Sequence, residues 1–270
     1  VDGSVQPYAV TLPEGAGART SKRWPLYVVL HGRGGDRNEI RFLDDHHDKP
    51  WPKDGPLSVA DFVQLDVFGR IDNSYRWAGE TDVFEAITDV KRRYRIDDRR
   101  VVLWGFSMGG AGSWHLGVHH PDQWCSVGPG AGFVDYLNYQ NPKTPLPEHQ
   151  RDALHVYDAL DYVLNAFNVP ICTYGGELDK QLAASKLMVD AAKERDVAIK
   201  FLIGPGVEHK FHPDSFKEFM AFHRANVERG RITSQQRKEI RFTTYTLKYN
   251  ECDWLTIEEL DDHLDAATVH

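Results

Sequence analysis

Three residues in 270 are cysteine: Cys125, Cys172 and Cys252. None forms a CxxC pair, so a zinc knuckle or a thioredoxin-like redox site is excluded by pattern. The odd count argues against a dense disulfide framework and leaves room for one bridge at most. Long apolar runs are also missing. None approaches the roughly 20 residues of a membrane-spanning helix. Basic residues are in deficit, with 32 Lys+Arg against 40 Asp+Glu and a formal charge of -8. A nucleic-acid partner is therefore disfavoured, because phosphate binding draws on a basic surface. The chain has no internal repeat and no low-complexity segment, and no signal peptide is visible. It starts at Val1, so the expectation is a chain from which a leader or more has been removed.

What is present suits a globular α/β protein. Hydrophobic residues make up 41% and charged residues 27%, ordinary values for a folded domain. Tyr8–Leu12 reads as a short strand, and Pro13–Arg23 as a glycine-rich turn region. Pro25–Leu30 is an unbroken apolar run that stops at His31-Gly32-Arg33-Gly34-Gly35. Such a run fits a strand buried on both faces of a parallel sheet. Phe62–Phe68 is a further strand. A helix is expected from about Thr81, with Val83, Ile87, Val90 and Tyr94 at helical spacing. Asp82 and Glu85 stand near its start and Lys91, Arg92 and Arg93 near its end, matching the helix dipole.

Asp97-Asp98 reads as a turn before the strand Val101–Trp104. Helix is expected over 108–119, 182–195 and 215–229, and strand over 170–174 and 199–203. This alternation predicts right-handed crossovers and a mostly parallel sheet with helices on both faces. Residues 135–168 interrupt it as an insertion above the sheet, with helix-like character over 152–167. After Gly230 the character changes. Ile240–Tyr249 is rich in β-formers. The expected division is a catalytic domain over 1–230 and a β-rich extension over 231–270, the start of an accessory domain.

The chemistry concentrates in four loops at the carboxyl ends of predicted strands, where ligands of open α/β sheets bind. Gly105-Phe106-Ser107-Met108-Gly109 is a GxSxG pattern between a strand and a helix. Its glycines allow a turn tight enough to hold the Ser107 oxygen above the sheet. Acyl transfer also requires N–H donors for a developing oxyanion. The Met108 N–H is one candidate, and the other is the N–H of Arg33 or Gly34 in the loop after the second strand. The same fold logic demands an acid and then a histidine later in the chain. Asp179 and His209 fill those places, with Glu177 and His212 as rivals. Trp77, between a strand and a helix, is a candidate pocket residue. His31 reads as a brace for its own loop. Asp44-Asp45-His46-His47-Asp48 reads as a charged surface loop, because adjacent histidines do not match an i,i+4 ligand pair. No metal and no cofactor is expected.

With Asn73-Ser74-Tyr75-Arg76-Trp77-Ala78-Gly79-Glu80-Thr81-Asp82-Val83, Tyr94–Val101, Gly105–Gly110 and His120-Pro121-Asp122, the chain resembles bacterial predicted peptidases and esterases. These are prolyl-oligopeptidase-like α/β-hydrolases, close to esterase D, feruloyl esterases and polyhydroxybutyrate depolymerases. The resemblance spans roughly residues 25–225. It implies the α/β-hydrolase fold, a triad of Ser107, Asp179 and His209, and an extracytoplasmic or multidomain setting in many members. Prolyl oligopeptidases carry a β-propeller ahead of the hydrolase domain, and none precedes residue 25. The expectation is therefore an open site that cleaves a carboxylic ester, on a small molecule or linked to a polysaccharide. Peptide-bond hydrolysis and a non-catalytic binding module are the competing readings.

Overall fold

The computed structural model describes residues 2–14, 16, 21–34, 38–47, 54–55, 57–58 and 61–270. Gly35, Asp48 and parts of the turn region before Arg23 lie outside the described residues.

Seven strands form one sheet in the order β1-β3-β2-β4-β5-β6-β7. They are β1 (Tyr8–Thr11), β2 (Trp24–Leu30), β3 (Val63–Val67), β4 (Ile96–Phe106), β5 (Ser126–Gly130), β6 (Cys172–Gly176) and β7 (Lys200–Gly204). Only β1 runs antiparallel to its neighbour; β2 to β7 are parallel. Adjacent residues of a strand point to opposite faces, and the core divides accordingly. Leu26, Val28 and Leu30 of β2, with Val101 and Leu103 of β4, bury into one cluster. Tyr27 of β2, with Val102 and Trp104 of β4, buries into another.

The first cluster is covered by α2 (Ala78–Arg93), α3 (Met108–His119) and α6 (Leu182–Lys193), through Val83, Ile87, Val90, Trp114, Leu116, Met188 and Ala192. The second is covered by α7 (Pro213–Arg229) through Phe219 and Met220. This is the expected sheet with helices on both faces, an α/β-hydrolase fold.

Local departures have physical causes. The α2 helix begins three residues before Thr81, at Ala78, because Trp77 takes the turn conformation that caps it (φ 54°, ψ -119°). Asp97-Asp98 is not a turn but the exposed beginning of β4. There the strand bridges Trp24 across a register shift. Asp44, Asp45 and His46 end a helix rather than forming a loop: α1 (Glu39–His46) is capped by the Asn38 side chain. All three cysteines are free and buried, so the one bridge the count allowed does not form.

The insertion folds as α4 (Tyr136–Gln140), α5 (Glu148–Leu154) and a kinked 3₁₀ stretch, Ala159–Asn168. Within Ile240–Tyr249 only β8 (Phe242–Thr244) is a strand, followed by a 3₁₀ turn at Leu247–Tyr249. Asn165 of the 3₁₀ stretch donates to the Thr243 carbonyl and accepts from the Thr243 N–H. Tyr249 is buried in the same core as α2 and α3. Among the described residues no helix is long and apolar enough to cross a membrane.

Candidate active site

Ser107 lies between β4 and α3 with φ 60° and ψ -119°, a left-handed conformation that a non-glycine residue adopts only under constraint. Its N–H donates to the Gly130 carbonyl of β5 at 2.8 Å. The flanking glycines make the turn sterically possible. A Cβ at Gly109 would stand 1.9 Å from the Leu30 oxygen, and one at Gly105 would stand 2.5 Å from the Gly109 backbone. The side chain of Ser107 is thereby held out beyond the strand, at the N-terminus of a buried helix.

The loop after β7 brings His209 to it. His209 Nε2 stands 2.8 Å from Ser107 Oγ, and Nδ1 stands 2.7 Å from Asp179 Oδ2. The Asp179 side chain is nearly buried, whereas 43% of the His209 side chain is exposed. The Gln181 N–H fixes the other carboxylate oxygen of Asp179 at 2.9 Å. An acid so held can fix the imidazole tautomer and stabilise an imidazolium, and the ring can take a proton from the serine oxygen.

Neither rival is hydrogen-bonded to the Ser107–His209 pair. Glu177 accepts from the Gly206 N–H, bracing the loop that carries His209. The backbone N–H of His212 donates to the Tyr174 hydroxyl, and no hydrogen bond joins its ring to Ser107 or Asp179. The His31 ring contacts the Gly32 and Phe68 carbonyls, which suits a brace.

A cleft of about 350 Å³ opens beside Ser107. Met108 and Arg33 line it, so both candidate N–H loops border the serine, and a Cβ on Gly32 would stand 3.4 Å from Ser107 Cβ. Trp77 is also on the wall, 54% exposed, with its ring edge-on to Tyr157. Sequence reasoning missed the opposite wall. Tyr136 and Tyr139 of the insertion line the cleft, and Tyr139 stacks on Phe133 at 4.2 Å. It also missed Arg76, which enters the cleft from the strained loop ahead of α2. Among the described residues no group of three or more His, Cys, Asp or Glu could hold a metal ion.

Comparison with known proteins bears on the family and the fold. Residues 70–237 match the family model described as the prolyl oligopeptidase family. No curated protein matches the sequence. Among solved structures, a truncated carbohydrate esterase from gut microbiota superposes with a TM-score of 0.63 at 16% identity, covering 81% of this chain and 90% of that one. A ferulic acid esterase gives 0.58 at 17% identity, over 80% of this chain and 91% of that one. A puromycin-hydrolyzing peptidase from Mycobacterium tuberculosis gives 0.58 at 16% identity, over 82% of this chain but 37% of that one. At such identities the likeness is one of fold. The family match spans more than half of the chain, and the protein belongs to the prolyl oligopeptidase family of α/β-hydrolase-fold serine hydrolases.

Proposed function

We propose that the protein hydrolyses carboxylic esters through an acyl-enzyme intermediate, with Ser107 as nucleophile, His209 as general base and then acid, and Asp179 as its orienting carboxylate. The observation that carries this reading is the unbroken contact from Asp179 through His209 to Ser107 on a strained strand-to-helix turn. Ser107 Oγ attacks the ester carbonyl carbon while His209 Nε2 takes its proton. The resulting oxyanion faces the Met108 N–H and the N–H of Arg33 or Gly34. Collapse expels the alkoxide, which takes the proton back from His209. Water, deprotonated by the same ring, then releases the acid and restores Ser107.

We take an ester ahead of a peptide; the cleft opens beside Ser107 and the histidine is exposed, so a bulky ester can be reached from solvent. The exposed Trp77 ring and the Phe133–Tyr139 stack offer flat apolar faces for an aromatic acyl group or a sugar ring, as in polysaccharide-linked esters.

The deciding measurement is turnover of a short p-nitrophenyl ester, methyl ferulate and an aminoacyl anilide by the wild type and by Ser107→Ala. Turnover of the esters, lost in the variant, supports the proposal. Turnover of the anilide alone moves the protein to the peptidases. No turnover, together with no labelling of Ser107 by a fluorophosphonate, leaves a binding module on a hydrolase fold.

A further inference from the structure

Arg76 is out of place for a surface-loop arginine. Its side chain is only 12% exposed, yet it lines the cleft that holds Ser107. Buried guanidinium groups ordinarily sit in full hydrogen-bonded pairs. Here Nε is buried without a hydrogen-bond partner. Its ion-pair partner, Asp158 Oδ1, stands 3.6 Å from Nη2, beyond hydrogen-bond reach. That carboxylate already accepts from the Tyr136 N–H, at 3.1 and 3.2 Å from its two oxygens. Burial pushes Asp158 up to about 6 despite the arginine, so the ion pair does not fully repay the carboxylate's desolvation. The Phe133 ring lies 5.5 Å from the guanidinium carbon and adds no acceptor.

The backbone keeps Arg76 in this position at some cost. Ser74, Tyr75 and Trp77 all have φ between 54° and 57°. Asn73 Oδ1 pins the Tyr75 N–H, and the Tyr75 hydroxyl accepts from the His31 N–H of the neighbouring loop. Strain of this kind persists where the surroundings over-determine it and collects at functional sites. The other arginine of the cleft, Arg33, is 69% exposed and already paired with Asp72 at 3.2 Å. Of the two arginines that line the cleft, Arg76 is therefore the one whose guanidinium has no hydrogen-bonded carboxylate partner.

We infer that Arg76 is a specificity-determining residue that binds a carboxylate of the substrate remote from the scissile bond, so that the preferred ester is an anionic one. A guanidinium suits this task because its fork of N–H donors matches a carboxylate in two parallel hydrogen bonds. The inference rests on the proposal that esters are cleaved at Ser107, and it adds the charge class of the substrate.

The experiment uses isosteric p-nitrophenyl esters, the half-esters of succinate, glutarate and adipate against the corresponding monoamides. The acetate ester of 4-hydroxybenzoate, against that of 4-hydroxybenzamide, places the charge on the alcohol side. In at least one series the wild type should favour the carboxylate in kcat/KM by about 30-fold, mostly through KM. Arg76→Met should collapse that ratio toward one, and Arg76→Lys should restore part of it. A wild-type ratio near one in every series overturns the inference. So does an Arg76→Met variant that slows acid and amide equally, the result expected of a merely structural arginine. Calorimetry on Ser107→Ala with glutarate and glutaramide decides independently of turnover. Glutarate binding that vanishes in the double variant with Arg76→Met supports the site even if no ester is cleaved. Absence of glutarate binding, or binding that survives in the double variant, counts against it.

Discussion

At Ser107 a non-glycine residue is held at φ 60°, where a few kcal/mol of strain is typical, while both flanking glycines are locked against backbone oxygens. Two substitutions separate chemistry from shape. Ser107→Ala removes only the oxygen, so folding should be retained and ester turnover should fall by roughly 10⁴-fold or more, read as kcat at saturating ester. Gly109→Ala places a methyl group 1.9 Å from the Leu30 oxygen. It should therefore distort the turn and lower both the melting temperature and activity, a pairing that Ser107→Ala should not show. Asp179→Asn is the third case. The Gln181 N–H still has an acceptor, but His209 loses the charge that sets its tautomer. Turnover should drop by about 10³- to 10⁴-fold with the thermal midpoint shifted little, as rates and differential scanning of the same preparation would show.

Among the elements, the segment after α7 makes the least local sense and the most tertiary sense. Tyr249 donates to Glu80 Oε2 at 2.7 Å, His115 Nε2 stands 2.9 Å from the same oxygen, and Lys248 Nζ stands 3.2 Å from it. One carboxylate in the first turn of α2 thus ties α2, α3 and the C-terminal segment together. These bonds hold Glu80 well below the usual carboxylate range against the opposing effect of burial. Tyr249→Phe should cost about 1–3 kcal/mol, because a buried carboxylate loses a donor. The loss should appear as a lower urea midpoint in a single transition. A separate early transition would mark residues 231–270 as an independent unit instead.

Such ties explain what was legible beforehand. The α3 helix was read at its true limits, since a buried helix after a glycine-bounded strand leaves a continuous signal. Asp179 and His209 were legible from their order and from strands ending just before them. The β5 strand, Ser-Val-Gly-Pro-Gly, carries no strand signal at all. It is a strand because β4 and β6 flank it and because a side chain at Gly128 would strike His223 and Phe219. Arg76 was equally hidden, since nothing local to the sequence tells that a loop arginine will be buried between the Phe133 ring and Asp158.

Across the whole molecule, the buried histidines set the response to acid. His115, His119 and His223 are almost wholly inside, each with one ring nitrogen lacking a partner. Burial lowers all three: His115 to about 4, His223 to about 3, and His119 well below its usual value. A histidine whose folded pKa is depressed costs nothing above pH 6.5, where both states are neutral. Below pH 6.5 the unfolded chain takes up a proton that the folded chain refuses, and stability falls until the folded pKa is reached. By pH 4.5 each contributes a loss of roughly 2–3 kcal/mol. Glu80 adds to the loss further into acid, since its folded pKa is depressed and its contribution disappears as it protonates. Asp158 opposes them: with its folded pKa raised to about 6, acidification relieves about 2 kcal/mol of its burial cost. Three histidines outweigh one aspartate, so the urea midpoint should be nearly flat above pH 7 and fall steeply between pH 6.5 and 4.5. His223 faces Phe219, Phe222 and the Ser126 hydroxyl, and among the described residues no charged neighbour softens the effect of burial. His223→Gln should therefore lower stability at pH 7.5 yet flatten the acid limb by about one proton's worth of slope. A midpoint unchanged between pH 7.5 and 4.5 would mean that these rings are protonated in the folded protein, and that the core around β5 admits water.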